Sequence, residues 1–262
     1  MVFLSNVYWL MQRQFFLIKN SLGDLFINYA IIWPCIFSFS SGYFVPLVFF
    51  PQDPINKGTE LMVGMVLLQA FVVAYFMMVD LISERESSGI LHYHITATSF
   101  GAAFAARVLF YVMYVFCALL PFLPVSKLLL GEHLYTDLIS WPLLVVVLFF
   151  VVTLVVTYVF ALAALVREMR SIEYVWSYGV EPFLWLSGMW APTYAIAKSG
   201  VPGITYFLMI NPFGYASDVL RQLFFNDPRF SSVGISVLIM FLATVFFVAV
   251  AYRLLRKQIH AV

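Results

Sequence analysis

Charged side chains are scarce in this chain, and their placement is informative. Only 10% of the 262 residues are Asp, Glu, Lys or Arg. Asp80, Glu84, Arg85, Glu86 and Arg107 gather in a single stretch. Within it, Ser83-Glu84-Arg85-Glu86 fits a capping box. The Ser83 hydroxyl accepts from the third helical amide, and Glu86 reaches back to the Ser83 amide. That spacing predicts a short helix from Glu84 towards Thr98, with Leu91 and Ile95 on one face. Charge at one end and an apolar knuckle suit a helix that lies along a membrane and sits in a groove of a soluble partner. The alternative is an ordinary polar loop between two spans.

Glu181 is a different case: a lone carboxylate, beside Pro182, inside an apolar run. An ionisable group in such a run marks a candidate functional site. Three roles stand open, namely lining a substrate path, pairing with a polar group on a neighbouring span, and relaying a proton. A fourth reading is structural: Pro182 frees a carbonyl, breaks the helix locally and leaves Glu181 near a surface. Asp218 and Arg221, three apart, share a helix face and are expected to pin local structure rather than bind substrate. His92 and His94 are two apart, so a helix points them to different faces, and no metal site is expected. Cys35 and Cys117 sit in apolar runs with no disulfide or metal spacing and read as buried, inert thiols.

Other chemistries lack their residues. There is no Gly-x-Ser-x-Gly and no His-Glu-x-x-His, so an intramembrane enzyme would need a different residue set. No Gly-Lys dipeptide occurs, so no phosphate-cradling loop is present. With a net charge of +1, nothing argues for nucleic acid as a partner.

The elements that hold these residues are apolar. The composition is 63% hydrophobic and 19% aromatic, with a mean hydropathy of +0.97. Soluble domains average about 45–50% apolar. Repeated runs of roughly 20 apolar residues point to several membrane-spanning helices, and a barrel would show short alternating segments instead. No cleavable leader pattern is evident at the start.

Residues 3–22 are amphipathic. Ser5/Asn6, Gln12–Gln14 and Lys19–Ser21 recur at seven-residue spacing as one polar stripe. Arg13 and Lys19 would be costly in mid-bilayer, so an interfacial helix is expected, with Tyr8 and Trp9 at the headgroups. Spans are then expected at Tyr29–Phe50, Leu61–Val79, Val108–Val125, Pro142–Val166, Tyr174–Trp190 and Val233–Tyr252. Pro34, Gly42 and Pro46 predict a loosened first span. The segment Ala191–Ser232 is too polar for one span, yet Ile204–Ile210 and Val219–Phe225 are apolar pieces shorter than a span. They read as half-helices dipping into the membrane or lying on its outer face. Lys and Arg divide nine against five between the two sides, which makes both termini cytoplasmic.

The chain resembles a type-2 ABC exporter permease over essentially its whole length. One matching pattern is Arg85-Glu86-Ser-Ser-Gly89-Ile-Leu91 followed by Thr96-Ala-Thr98 in the first cytoplasmic loop. A more specific one follows the fifth span: Ser187-Gly188-Met-Trp-Ala-Pro192, then Pro202, then Asn211-Pro212-Phe-Gly-Tyr215-Ala-Ser-Asp218-Val-Leu-Arg221. Ala97-Thr98 departs from the Thr-Pro of many members.

The resemblance implies an all-α membrane protein forming a single transmembrane domain, 1–262. It would have six transmembrane helices, an N-terminal interfacial helix (1–27), a cytoplasmic coupling loop and helix (80–107) and an outer re-entrant segment (191–232). It implies a homodimer in the cell membrane, in bacteria the inner one. Separate cytoplasmic ATPase subunits would carry the ATP and Mg, and this chain would have no cofactor or enzymatic activity of its own. Ser83, Glu84, Arg85, Glu86, Gly89, Leu91 and Ile95 would face the ATPase. Trp33, Phe37, Tyr75, Trp176, Glu181 and Trp185 are the candidate path residues, although aromatic belts and lipid-facing packing explain most aromatics in such a chain. The expected cargo is an amphipathic or lipid-linked molecule: a drug, lipid or polysaccharide. A channel or assembly scaffold without an ATPase is the other non-enzymatic reading.

Overall fold

The computed structural model describes residues 2–86, 99–166, 168–198 and 200–259, and no strand occurs among them. Five helices are long and apolar enough to cross a membrane: Asn28–Phe49, Pro54–Ser83, Phe100–His133, Trp141–Leu165 and Val233–Lys257. The protein is therefore a multi-pass helical membrane protein.

The N-terminal helix α1 (Val2–Ile27) continues without a break of backbone conformation into α2 (Asn28–Phe49). α1 buries Val7 and Leu10 against Ala102, Ala103 and Ala106, small side chains that let two helices approach closely. Leu4, Tyr8, Trp9 and Phe16 remain exposed. Gln14 is the exception to the polar stripe, since it lies on the buried side.

α3 (Pro54–Glu86) has 33 residues, about 50 Å at the α-helical rise, so it outruns a ~30 Å hydrocarbon layer at both ends. It does not break at Ser83, and the expected capping box is not formed. Leu81 and Ile82 are fully buried and carry the packing face of α3 onward, which holds Ser83 in mid-helix. The structure describes only the backbone of Glu84 and Arg85. Gly89, Leu91, His92, His94 and Ile95, and with them the expected coupling helix, lie outside the described residues.

The third span starts earlier than its hydropathy suggests. α4 is Phe100–Leu119, and the Ser99 hydroxyl caps it by accepting from the Ala102 N–H at 3.2 Å. The alanine face packed under α1 keeps residues 100–107 helical, and Arg107 is buried there. Pro121 ends α4, and α5 (Phe122–Leu130) follows. α6 (Trp141–Leu165) is central and packs on α3, α4 and the last helix. Then come α7, α8 (Thr193–Ala197), α9 (Pro202–Ile210), α10 (Pro212–Phe225) and α11 (Val233–Ile259). The expected fifth span corresponds to α7, built from Ile172–Val175, Trp176–Val180 and Glu181–Trp185. At roughly 20 Å it is shorter than expected. A turn takes over at Leu186, and Trp190 lies beyond the helix. Cys35 is half-buried and Cys117 exposed, so neither is the buried thiol expected. Apolar runs in this fold serve lipid-facing surfaces as well as the core.

α9 and α10 form a hairpin that turns at Asn211. The tip reaches deep into the bundle: the Phe213 ring stands 4.8 Å from Phe71, midway along α3, and 5.0 Å from Tyr158 on α6. Tyr158 also meets Phe247 of α11 at 4.9 Å. These edge-on aromatic contacts join α3, α6, α10 and α11 into one core.

Candidate functional site

Three prolines share one local device. In an α-helix each N–H bonds the carbonyl four residues back, and a proline has no N–H. Ahead of Pro34, Pro46 and Pro182 the chain widens to π geometry over Asn28–Ile32, Ser38–Phe44 and Trp176–Val180. The residue just before each proline donates five residues back: Trp33 to Asn28, Val45 to Ser40 and Glu181 to Trp176. The next carbonyl along, that of Tyr29, Ser41 and Ser177, therefore loses its α donor to the shift and its π donor to the proline. Such widened turns free backbone acceptors inside a membrane bundle.

Two side chains answer these breaks. Gln69 is fully buried on α3 and donates from Nε2 to the Tyr29 carbonyl at 2.8 Å. Tyr158 on α6 donates its hydroxyl to the Gly179 carbonyl in the widened part of α7. The lone polar residue of the second span is thus a partner for the broken first span.

A cleft of about 370 Å³ opens beside the break in α7, lined by Val72, Tyr75, Phe76, Glu173, Trp176 and Ser177. Tyr75 and Trp176 meet edge to face at 4.8 Å, so the fold brings together two of the six expected path residues. The others lie outside its lining. Trp33 packs on Phe37 at 5.3 Å along α2. Trp185 stands at the far end of α7, 5.8 Å from Trp190. Glu181 is half-buried and, among the described residues, its carboxylate has no hydrogen-bond or ion-pair partner. Sequence reasoning missed Phe76, Glu173 and Ser177. The available signal was Glu173 and Ser177 at i, i+4 on the face of a helix interrupted by Pro182.

The end of the bundle that holds the C-terminus of α3 has its own ties. Tyr111 donates its hydroxyl to Asp80 Oδ2 at 3.0 Å. Glu86 Oε1 accepts from the Met169 backbone N–H at 2.7 Å. The end of α3 is thereby joined to the short turn Met169–Ser171 that follows α6.

At the opposite end Arg221 on α10 is completely buried. Its Nη2 donates to the Glu60 carbonyl at 3.3 Å and to the Met189 carbonyl at 3.4 Å. Burial lowers its pKa to about 10, against the favourable fields of Asp218 and Glu60. Asp218 accepts from the Thr193 hydroxyl. Its carboxyl is raised above its ordinary value by desolvation, which outweighs the Thr193 bond and the Arg221 charge. The pair pins the outer segment as expected, chiefly through carbonyls and Thr193. Gly64 completes the contact, because a Cβ there would stand 1.9 Å from the Met189 carbonyl oxygen. At the hairpin tip, Asn211 Oδ1 caps α10 by accepting from the Phe213 N–H at 3.1 Å. Its Nδ2 donates to the Phe183 carbonyl of α7 at 2.8 Å.

The fold and these ties define a helical, multi-pass membrane protein with a broken helix, a side cleft and a pinned hairpin. No family model matches the chain, and no curated protein matches it.

Proposed function

We propose that this chain is the membrane-spanning permease half of an ATP-driven exporter of the type-2 ABC kind. It moves an amphipathic or lipid-linked substrate outward. The observation that carries this reading is the inner tie from Glu86 to Met169. It makes the end of α3, where the resemblance begins with Arg85-Glu86, move together with the turn after α6. A push on the loop following Glu86 then reaches two central helices at once.

Other features support the same reading. The Asn211-Pro212 and Asp218…Arg221 positions that carry the resemblance hold the hairpin tip and its outer anchor. In this reading α7 serves as the fifth of six spans, and the α9–α10 hairpin is re-entrant from the outer side. Both termini are cytoplasmic and the membrane is the cell membrane. Two copies assemble with two ATPase subunits, which hold the ATP and Mg. α11 buries only 11% of its apolar window and α2 only 33%, leaving faces for lipid and for the second copy. The path includes Tyr75, Trp176 and Glu181, with Trp33, Phe37 and Trp185 towards its ends.

The test is co-purification with candidate cytoplasmic ATPases, followed by ATP turnover of the assembly. The proposal expects a stable complex whose turnover falls when Glu86, Gly89 or Leu91 is changed. A chain that binds no ATPase and is indifferent to those changes is instead a channel, scaffold or enzyme.

A further inference from the structure

We infer that the cleft beside the break in α7 is a binding site for lipophilic organic cations. Its volume of about 370 Å³ is within the range of small-molecule sites. Tyr75, Phe76 and Trp176 supply aromatic surface, and aromatic faces attract cations through the ring quadrupole. Glu173 supplies the only formal charge in the lining, and it is negative. Among the described residues its carboxylate has no hydrogen-bond or ion-pair partner, and the nearby Arg170 pairs with Glu168.

Ser177 brings a hydroxyl acceptor to the lining, and its backbone carbonyl belongs to the widened turn. Its carbonyl has lost its α donor, since the Glu181 N–H goes to Trp176, and its π donor, since Pro182 has none. Glu173 and Ser177 are one helical turn apart, so the carboxylate and the Ser177 hydroxyl border the same space. Glu173 and Ser177 lie on the exposed side of α7, so an anionic amphiphile would be repelled by the carboxylate and a neutral one would gain nothing from it. The fitting ligand has an apolar, preferably aromatic body and a positive centre.

That this ligand is cargo rests on the exporter reading; that it binds does not. The experiment is equilibrium dialysis of the purified chain in dodecyl maltoside micelles, with protein-free micelles as blank. Tetraphenylphosphonium and tetraphenylborate serve as probes of the same shape and opposite charge. Saturable binding of the cation, one per chain, is expected, with no binding of the borate above the blank. Glu173→Gln is expected to weaken the cation about tenfold, whereas Glu132→Gln, on the exposed turn after α5 and outside the lining, leaves it unchanged. Equal uptake of both ions, or cation binding indifferent to Glu173→Gln, overturns the site. If the cation binds as expected but never alters ATP turnover of the assembly, the site stands and the exporter reading loses its support.

Discussion

The Glu86 carboxylate accepts a hydrogen bond from the Met169 backbone N–H at 2.7 Å, closing the C-terminal end of α3 onto the turn after α6. Both groups lie at the exposed edge of the bundle, so the bond adds little to stability. Glu86→Ala is expected to change the unfolding free energy by no more than about 0.5 kcal/mol. The same change is expected to lower ATP turnover of the assembled complex. Thermal unfolding and turnover on one preparation check both statements.

Arg221 presents the opposite balance. It is wholly buried and holds the Glu60 and Met189 carbonyls together. Arg221→Ala removes both contacts and leaves a cavity, which is expected to cost about 3 kcal/mol or more. Arg221→Lys is expected to recover only part of this, because an ammonium lacks the guanidinium's flat fork. Denaturation of the purified variants in detergent provides the comparison.

Gly64→Ala tests the same joint from α3. The new methyl group would be 1.9 Å from the Met189 carbonyl oxygen, a backbone atom that moves only with its segment. A loss of about 1–3 kcal/mol is expected, as for other overpacked sites. A cysteine placed at the buried Ser187 should at the same time become reactive towards a membrane-impermeant thiol reagent.

Asp218 gives a pH dependence of definite sign. Desolvation raises its folded-state pKa above the ordinary value of 3.8. Its contribution to stability is then full below the ordinary carboxylate range and is lost as pH rises through the raised value. Asp218→Asn cannot lose that contribution. Its stability relative to the parent chain should therefore climb as pH is raised from about 4 towards neutrality. Melting temperatures of the two proteins across that range check the direction.

The long apolar runs made the spans legible, because hydropathy over roughly 20 residues reports lipid exposure directly. The three prolines announced broken helices. What they could not announce was the partner for two of these breaks, since Gln69 meets Tyr29 across 40 positions of sequence and Tyr158 meets Gly179 across 21. The capping box at Ser83 misled for a related reason. A local pattern that starts a helix in isolation was overridden by Leu81 and Ile82, whose burial keeps α3 intact to Glu86. Similarly, hydropathy placed the start of α4 too late, because the alanines from Ala102 to Ala106 are packing surface for α1 rather than greasy residues. In the cleft, Tyr75 and Trp176 stood out as bulky aromatics within spans. Glu173 did not, because a carboxylate near a helix start usually reads as a favourable end charge.

The central claim is that force from a separate ATPase enters through the loop that begins at Glu86. Replacing Leu91 with a photo-crosslinking amino acid and irradiating the native membranes measures this most directly. The account predicts an adduct with an ATP-binding cytoplasmic subunit, in a yield that changes when ATP is added. An abundant, membrane-inserted chain that yields no adduct with any ATP-binding protein, with or without ATP, would contradict it.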